Sequence, residues 1–291
     1  MQRAGVVVIG GANMDLKARS TSPVVGATSN PGTTRLSPGG VARNVADNLA
    51  RLGTPVRLVA VVGADTLGDD LLGATAEAGV DVSLVRRAAT PTGTYTAVLD
   101  ASGELVVAIA DMAATDSLDP GDVDAAAEAI AAAALVVIDG NLAPAPLARA
   151  LDLARAAGVR VLLDPVSVPK ATRIAAQVRD LFAVTPNADE LAALGGAEAL
   201  HARGVELVWE RRGTAGSRLH TPGGASDLAS VATTVVDVTG AGDSMLAAFY
   251  HALIAGAAPT AAAAYGHRAA ALTVASHDTV RADLADRLGA P

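Results

Sequence analysis

The chain has 291 residues, enough for one large α/β domain or two ordinary ones, and enough to bury a substantial core. Hydrophobic residues make up 51% and run along the whole length, which excludes a disordered protein. The formal charge of −8, the 2% aromatic content and the absence of Cys exclude a phosphate-neutralising or base-stacking nucleic-acid binder, a disulfide framework, a thiolate metal site and a Cys nucleophile.

Residues 5–10 (GVVVIG) form a short β-branched run ending in glycines, which predicts a buried strand. Val41, Val45, Leu49 and Leu52 have helical spacing and stop at Gly53. A strand over 56–62 and a helix over 67–78 follow. Two alternating runs, 94–99 and 104–110, joined by Asp100-Ala101-Ser102-Gly103, predict a β-hairpin. Helix and strand then alternate: helices over 123–133, 146–157 and 188–194, and strands over 135–139, 159–163, 181–185 and 206–209. The Ala-rich tract 261–271 and the stretch 244–255 are expected as helices. Apolar strands alternating with helices predict a mostly parallel sheet covered on both faces, a three-layer α/β/α core. The polar segment 17–37 and the hairpin break that rhythm and are expected as an inserted β-flap on one domain spanning 1–291. The start, MQRAGVVVIGGANMD, lacks the long apolar stretch of a signal peptide. The run 245–258, about 14 residues, is too short to span a bilayer. A cytoplasmic protein with no membrane partner is expected.

Three segments carry chemistry. Asp237-Val238-Thr239-Gly240-Ala241-Gly242-Asp243 opens an apolar helix. Its Gly240-Ala241-Gly242 turn leaves backbone N–H groups unpaired at a helix start, an anion site. Asp243 beside it can accept a proton from an alcohol attacking a phosphoryl group. The plainer alternative is a tight turn with a favourable first-turn Asp. Ser37-Pro38-Gly39-Gly40-Val41-Ala42-Arg43-Asn44 places a diglycine before a helix and Asn44 near its buried face, where Asn is disfavoured unless its side chain is used. The alternative is a hinge and a cap. Gly10-Gly11-Ala12-Asn13-Met14-Asp15 follows the first strand, at the sheet edge where open α/β folds bind ligands. Asn13 and Asp15 can hydrogen-bond sugar hydroxyls; the alternative is a simple turn. The adjacent glycines do not make the dinucleotide fingerprint. Lys170 reads equally as a phosphate contact and as a solvated helix-start residue. The five His residues lack ligand spacing, so no metal is assigned to them.

Together these segments resemble the PfkB/ribokinase family of small-molecule kinases, whose signatures are a diglycine-then-Asn segment and a D-T-x-G-A-G-D segment. The resemblance runs from about Gly5 to Leu288. It implies an α/β/α core, a β-sheet lid here formed by segments near 15–38 and 92–111, ATP as phosphoryl donor and Mg²⁺. Asn187 and Glu190 resemble the N-x-x-E element that organises Mg²⁺ and its waters. Gly213-Thr214-Ala215-Gly216 resembles the G-x-x-G element beside ATP, with Thr239 in the nearby turn. The family usually has Ser or Thr two residues before that first Gly; this chain has Arg211. Some members carry a monovalent cation (K⁺), for which Asp237 and 276–280 are the segments at hand. Within the family, Ser29-Asn30-Pro31-Gly32, Val107–Met112 and Asp164–Lys170 resemble pseudouridine kinases. On that basis Asp243 is the base; Gly240, Ala241 and Gly242 hold developing charge; Asn13, Asp15, Gly39, Gly40 and Asn44 hold the ribose; Thr94 and Asp111 read the nucleobase; and Lys170 faces a phosphate. Another sugar or nucleoside kinase specificity, or a non-catalytic nucleoside-binding protein on the same fold, stays open. A homodimer through the lid is expected, with no nucleic-acid partner.

Overall fold

A computed structural model of the chain describes residues 5–291; residues 1–4, part of the start read above, lie outside it. The strands are β1 (Val6–Ile9), β2 (Asn13–Ser20), β3 (Gly32–Gly39), β4 (Val56–Val59), β5 (Val61–Gly63), β6 (Arg86–Ala88), β7 (Thr94–Leu99), β8 (Leu105–Asp111), β9 (Leu135–Asp139), β10 (Arg160–Asp164), β11 (Ala183–Val184), β12 (Leu207–Arg211), β13 (Ser217–Thr221) and β14 (Gly224–Leu228). Eight form one sheet in the order β14-β13-β12-β11-β10-β9-β1-β4, parallel except for the β12-β13-β14 ribbon. Alternation along β1 explains the layers: Val6 and Val8 join a core on one face, Val7 and Ile9 another core on the opposite face. The first core packs the helices Val41–Arg51, Ala241–Ile254 and Pro259–Val274, the second those between β8 and β12.

Two expected elements divide. The run 56–62 leaves the main sheet after Val59, and β5 pairs with β6 in a separate two-stranded sheet. The helix expected over 123–133 breaks at Ala126 into Pro120–Ala125 and Ala127–Ala132. The first piece owes its start to Asp119, which with Asp122 closes a capping box. The polar segment 17–37 pairs as β2 and β3, and with β7 and β8 makes a four-stranded sheet of order β3-β2-β7-β8. It showed little apolar patterning because β3 is largely exposed.

Strand β1 sits between β4, which follows it in the chain, and β9, which comes much later. The sheet order therefore reverses beside β1, and a crevice opens at the carboxyl ends of β1 and β9. The two lead into Gly10–Ala12 and Gly140–Asn141.

Candidate active site

Asp139, at the end of β9, organises the crevice. It is buried; its Oδ2 accepts the amides of Gly11 and Ala42, both at 2.9 Å, and its Oδ1 accepts that of Asn141 at 2.9 Å. The helix Val41–Arg51 has no cap from its own Gly40, so this carboxylate, 97 residues away, supplies one. Burial raises the Asp139 pKa, with the amide bonds opposing it. The diglycine is thus pinned beside the β1 turn. Gly39 lies against Asp15, where a Cβ would meet the carboxyl carbon at 2.5 Å. Asn13 donates to Asp15 at 2.7 Å, and burial raises the Asp15 pKa against the pull of Asn13, Lys17 and Arg43. The ribose-binding candidates Asn13, Asp15, Gly39 and Gly40 are therefore assembled in one place.

The two long-range motifs meet directly. Asn44 Nδ2 donates to Asp243 Oδ2 at 2.8 Å, across 199 residues of chain. Arg43 sets the Asn44 side chain: its Nη1 donates to Asn44 Oδ1 at 3.1 Å, its Nε to Thr75 at 3.0 Å, and its Nη2 pairs with Asp47. With its oxygen held by Arg43, the amide can only present N–H to Asp243. Asp243 is half-buried, with its Oδ2 held by Asn44. Burial pushes its pKa to about 7, with Asp164 adding to the rise and Asn44 and Arg211 opposing it. Gly240 is the left-handed N-cap of the helix Ala241–Ile254. Ala241 N–H is drawn into the turn, donating to Val238 O at 3.3 Å. Among the described residues the amides of Gly240 and Gly242 have no such acceptor, so these two N–H groups of the turn are open to an anion.

On the other side of this turn lies an apolar cavity of about 530 Å³ lined by Arg211, Gly213, Gly216, Val238, Gly242 and His267, among others. It brings the G-x-x-G element against the G-A-G turn. Asn187 and Glu190 form a capping box: Glu190 Oε2 accepts Asn187 N and Oε1 accepts Asn187 Nδ2, each at 2.9 Å. Arg211 joins them, with Nη2 3.0 Å from Asp164 Oδ2 and 3.6 Å from Glu190 Oε2. Both Glu190 oxygens being engaged, Asn187, Glu190 and Asp164 fit a Mg²⁺ carried in on phosphates and reached through water, not a cage of protein ligands. Among the described residues no three His, Cys, Asp or Glu side chains cluster to hold a metal. At the segment expected to border a monovalent cation, Lys17 Nζ donates to Asp237 Oδ2 at 3.0 Å and to Thr239 Oγ1 at 2.6 Å, so an ammonium pairs with that carboxylate. Thr239 accordingly turns to Lys17. Lys170 donates to Asn141 Oδ1 at 2.5 Å, on the Asp139 side of the crevice.

The strand register bears on the nucleobase candidates. Asp15 pairs with Tyr95, and Met14 with Thr94; Thr94 in turn faces Asp111. Since neighbours along a strand alternate faces, Thr94 and Asp111 lie on the face opposite Asp15, and Tyr95 shares the Asp15 face. Sequence reasoning also gave no role to Lys17, Arg43, Asp139 and Asp164, although Arg43 and Asp164 lie in segments it singled out. An Asp closing an apolar strand at the carboxyl edge is the signal that marks the last two.

The pattern of the pfkB family carbohydrate kinases matches residues 3–285. The chain is 35% identical over 257 residues to a protein of Escherichia coli (strain K12) named pseudouridine kinase, covering 83% of this chain and 81% of that one. A solved carbohydrate kinase from Agrobacterium tumefaciens superposes with a TM-score of 0.86 at 30% identity, covering 98% of this chain and 96% of that chain. A ribokinase from Arabidopsis thaliana, solved with ribose and ATP, superposes with a TM-score of 0.82 at 24% identity, covering 99% of each. With the architecture, the paired signatures and these likenesses in agreement, the chain belongs to the PfkB family of carbohydrate kinases and has its ribokinase-like α/β fold.

Proposed function

We propose that the protein transfers the γ-phosphoryl group of ATP to the 5′-hydroxyl of a nucleoside, with pseudouridine as its preferred acceptor. The Asn44–Asp243 hydrogen bond carries this reading, because it sets a base of raised pKa beside the residues suited to a ribose. Asn13, Asp15 and Asn44 orient the ribose hydroxyls over Gly39 and Gly40. Asp243 takes the hydroxyl proton as the oxygen attacks phosphorus; the bond to the ADP oxygen breaks, and ADP leaves. The amides of Gly240 and Gly242, at the helix start, stabilise the charge gathering on the equatorial oxygens. Mg²⁺ bound with the nucleotide would be held through water by Asn187, Glu190 and Asp164, and supplies charge neutralisation. The cavity beside Gly213 and Gly216 takes the rest of the nucleotide. The small sheet acts as a lid, with Tyr95 on the face that meets the acceptor. Lys170, reaching Asn141 beside Asp139, holds the crevice wall.

Pseudouridine is favoured by the likeness to the Escherichia coli pseudouridine kinase. It differs from uridine in its C-glycosidic bond and an extra ring N–H. A site that accepts from that N–H leaves an unpaired acceptor with uridine, which costs about 1–3 kcal/mol. The test is a panel of pseudouridine, uridine, cytidine, adenosine, ribose and fructose 6-phosphate with ATP and Mg²⁺, read by ADP release. Pseudouridine is expected to exceed uridine in kcat/KM by at least about tenfold, the lower end of that cost. Adenosine or ribose as the best acceptor would defeat the pseudouridine assignment and leave a kinase. No ADP release with any acceptor, alongside measurable binding, would favour a nucleoside-binding protein.

A further inference from the structure

Arg211 closes β12 and lines the cavity beside Gly213. One edge of its guanidinium is fixed: Nε donates to Thr185 O at 2.9 Å, and Nη2 faces Asp164 Oδ2 at 3.0 Å and Glu190 Oε2 at 3.6 Å. The other edge is not. Nη1 has no hydrogen-bond acceptor among the described residues, and it would lie 3.1 Å from a Cβ placed on Gly242. It thus stands beside the unpaired Gly242 amide, on the cavity wall. A guanidinium is a permanent cation, and the carboxylates of Asp164 and Glu190 face it along the fixed edge. A planar fork anchored along one edge and open along the other suits an anion approaching from the cavity.

We propose that Arg211 is a built-in cation of the nucleotide subsite, whose free Nη1 edge grips the terminal phosphate oxygens beside Gly242. This rests on the kinase reading. A fixed positive charge at that place adds to whatever a metal brings, so phosphate recognition persists without one. The rival is a purely structural Arg that ties β10 and the Asn187 cap to β12.

The test is calorimetric titration of ATP, ADP and adenosine, in excess EDTA, into the wild type, Arg211→Gln and Arg211→Lys, with thermal unfolding of each. A hydrogen bond to a charged group contributes about 1.5–3 kcal/mol, so Arg211→Gln is expected to weaken ATP by roughly 10- to 150-fold, ADP, which lacks the γ-phosphate, less, and adenosine little. Arg211→Lys keeps the charge that Asp164 and Glu190 require, and is expected to fold normally and recover part of the loss. Equal ATP affinity in the wild type and a folded Arg211→Lys and Arg211→Gln would overturn the proposal, while ADP release by the wild type would leave the kinase reading standing. Parallel loss of ATP and adenosine binding in both variants would also overturn it, in favour of the structural role. A wild type that binds neither ATP nor ADP, with or without Mg²⁺, would remove both the proposal and the reading beneath it.

Discussion

At Asp243, stability and chemistry pull in opposite directions. A general base acts ionised, yet enclosure lifts its pKa from 3.8 to about 7. The pH profile of kcat/KM for the free enzyme is therefore expected to climb tenfold per pH unit below about 7 and to level off above it. A profile flat from pH 5.5 to 8.5 would show that no such base limits the reaction. Because the folded-state pKa is raised, the unfolded chain ionises first as pH rises. Stability is full below about pH 4 and is lost as pH climbs through about 7. Asp243→Asn should thus lower turnover by about 10²- to 10⁴-fold. The same substitution should raise Tm at pH 8 and leave it nearly unchanged at pH 4. A Tm lowered at pH 8 would mean that the charge is stabilised by the fold. Asp243 and Asn44 were legible because each lies in a run of consecutive residues with its glycines. Asp139 was not, since its partners Gly11 and Ala42 come to it only through the sheet. The faces of Thr94 and Asp111 were not legible for a similar reason: which parity shares the Asp15 face is set by pairing with β2, not by the hairpin's own sequence.

The four-stranded sheet is joined to the core by glycines at its root and by charges along its face. Gly40 has φ +94° and would bring a Cβ within 2.5 Å of Gly11 O, so no larger residue fits without displacing the β1 turn. Gly40→Val is expected to raise the acceptor KM and lower kcat together. A change in kcat alone would show that the turn had not moved. On the same face as Asp15, Lys17 reaches Asp237 and Thr239, and Arg35 reaches Asp278 and the carbonyl of His277, both at 2.9 Å. These contacts bind the sheet to the loops flanking the anion turn. Turnover is expected to agree in potassium and tetramethylammonium salts of equal ionic strength, because an ammonium already sits on Asp237. In Lys17→Met, hydrogen exchange should quicken over β2, β3 and residues 237–240. Strong activation of the wild type by potassium would refute the first expectation, and unchanged exchange in the variant the second. The hairpin of β7 and β8 was legible from alternation and its Asp-Ala-Ser-Gly turn. The pairing of β2 with β3 was not, because most of β3 is exposed and carries polar residues.

Across the whole molecule, strand–helix alternation specified a parallel sheet with two covered faces, and both cores follow from it. The order of strands was hidden, because short apolar strands such as Val6–Ile9 and Leu135–Asp139 would pair equally well with many neighbours; loops and helix packing choose among them. The same register that turns Asp15 inward turns a row of Leu36, Leu16, Thr96 and Ile109 outward across all four strands of the small sheet. Leu36 is 46% and Ile109 67% exposed, and Val107 beside them is 50% exposed. A contiguous apolar sheet face left in water is costly and marks an association surface. A second copy is the occupant we propose, since two such faces related by a two-fold axis cover each other without further partners. The protein is therefore expected to run in light scattering as a dimer at about twice its 28.8 kDa chain mass. Ile109→Glu should bury a charge within that contact and yield a folded monomer, while Glu104→Lys at the turn beyond it should leave the dimer intact. A wild type that remains monomeric at tens of micromolar, a concentration at which interfaces with Kd near 1 μM are largely filled, would leave the outward row without the role assigned to it.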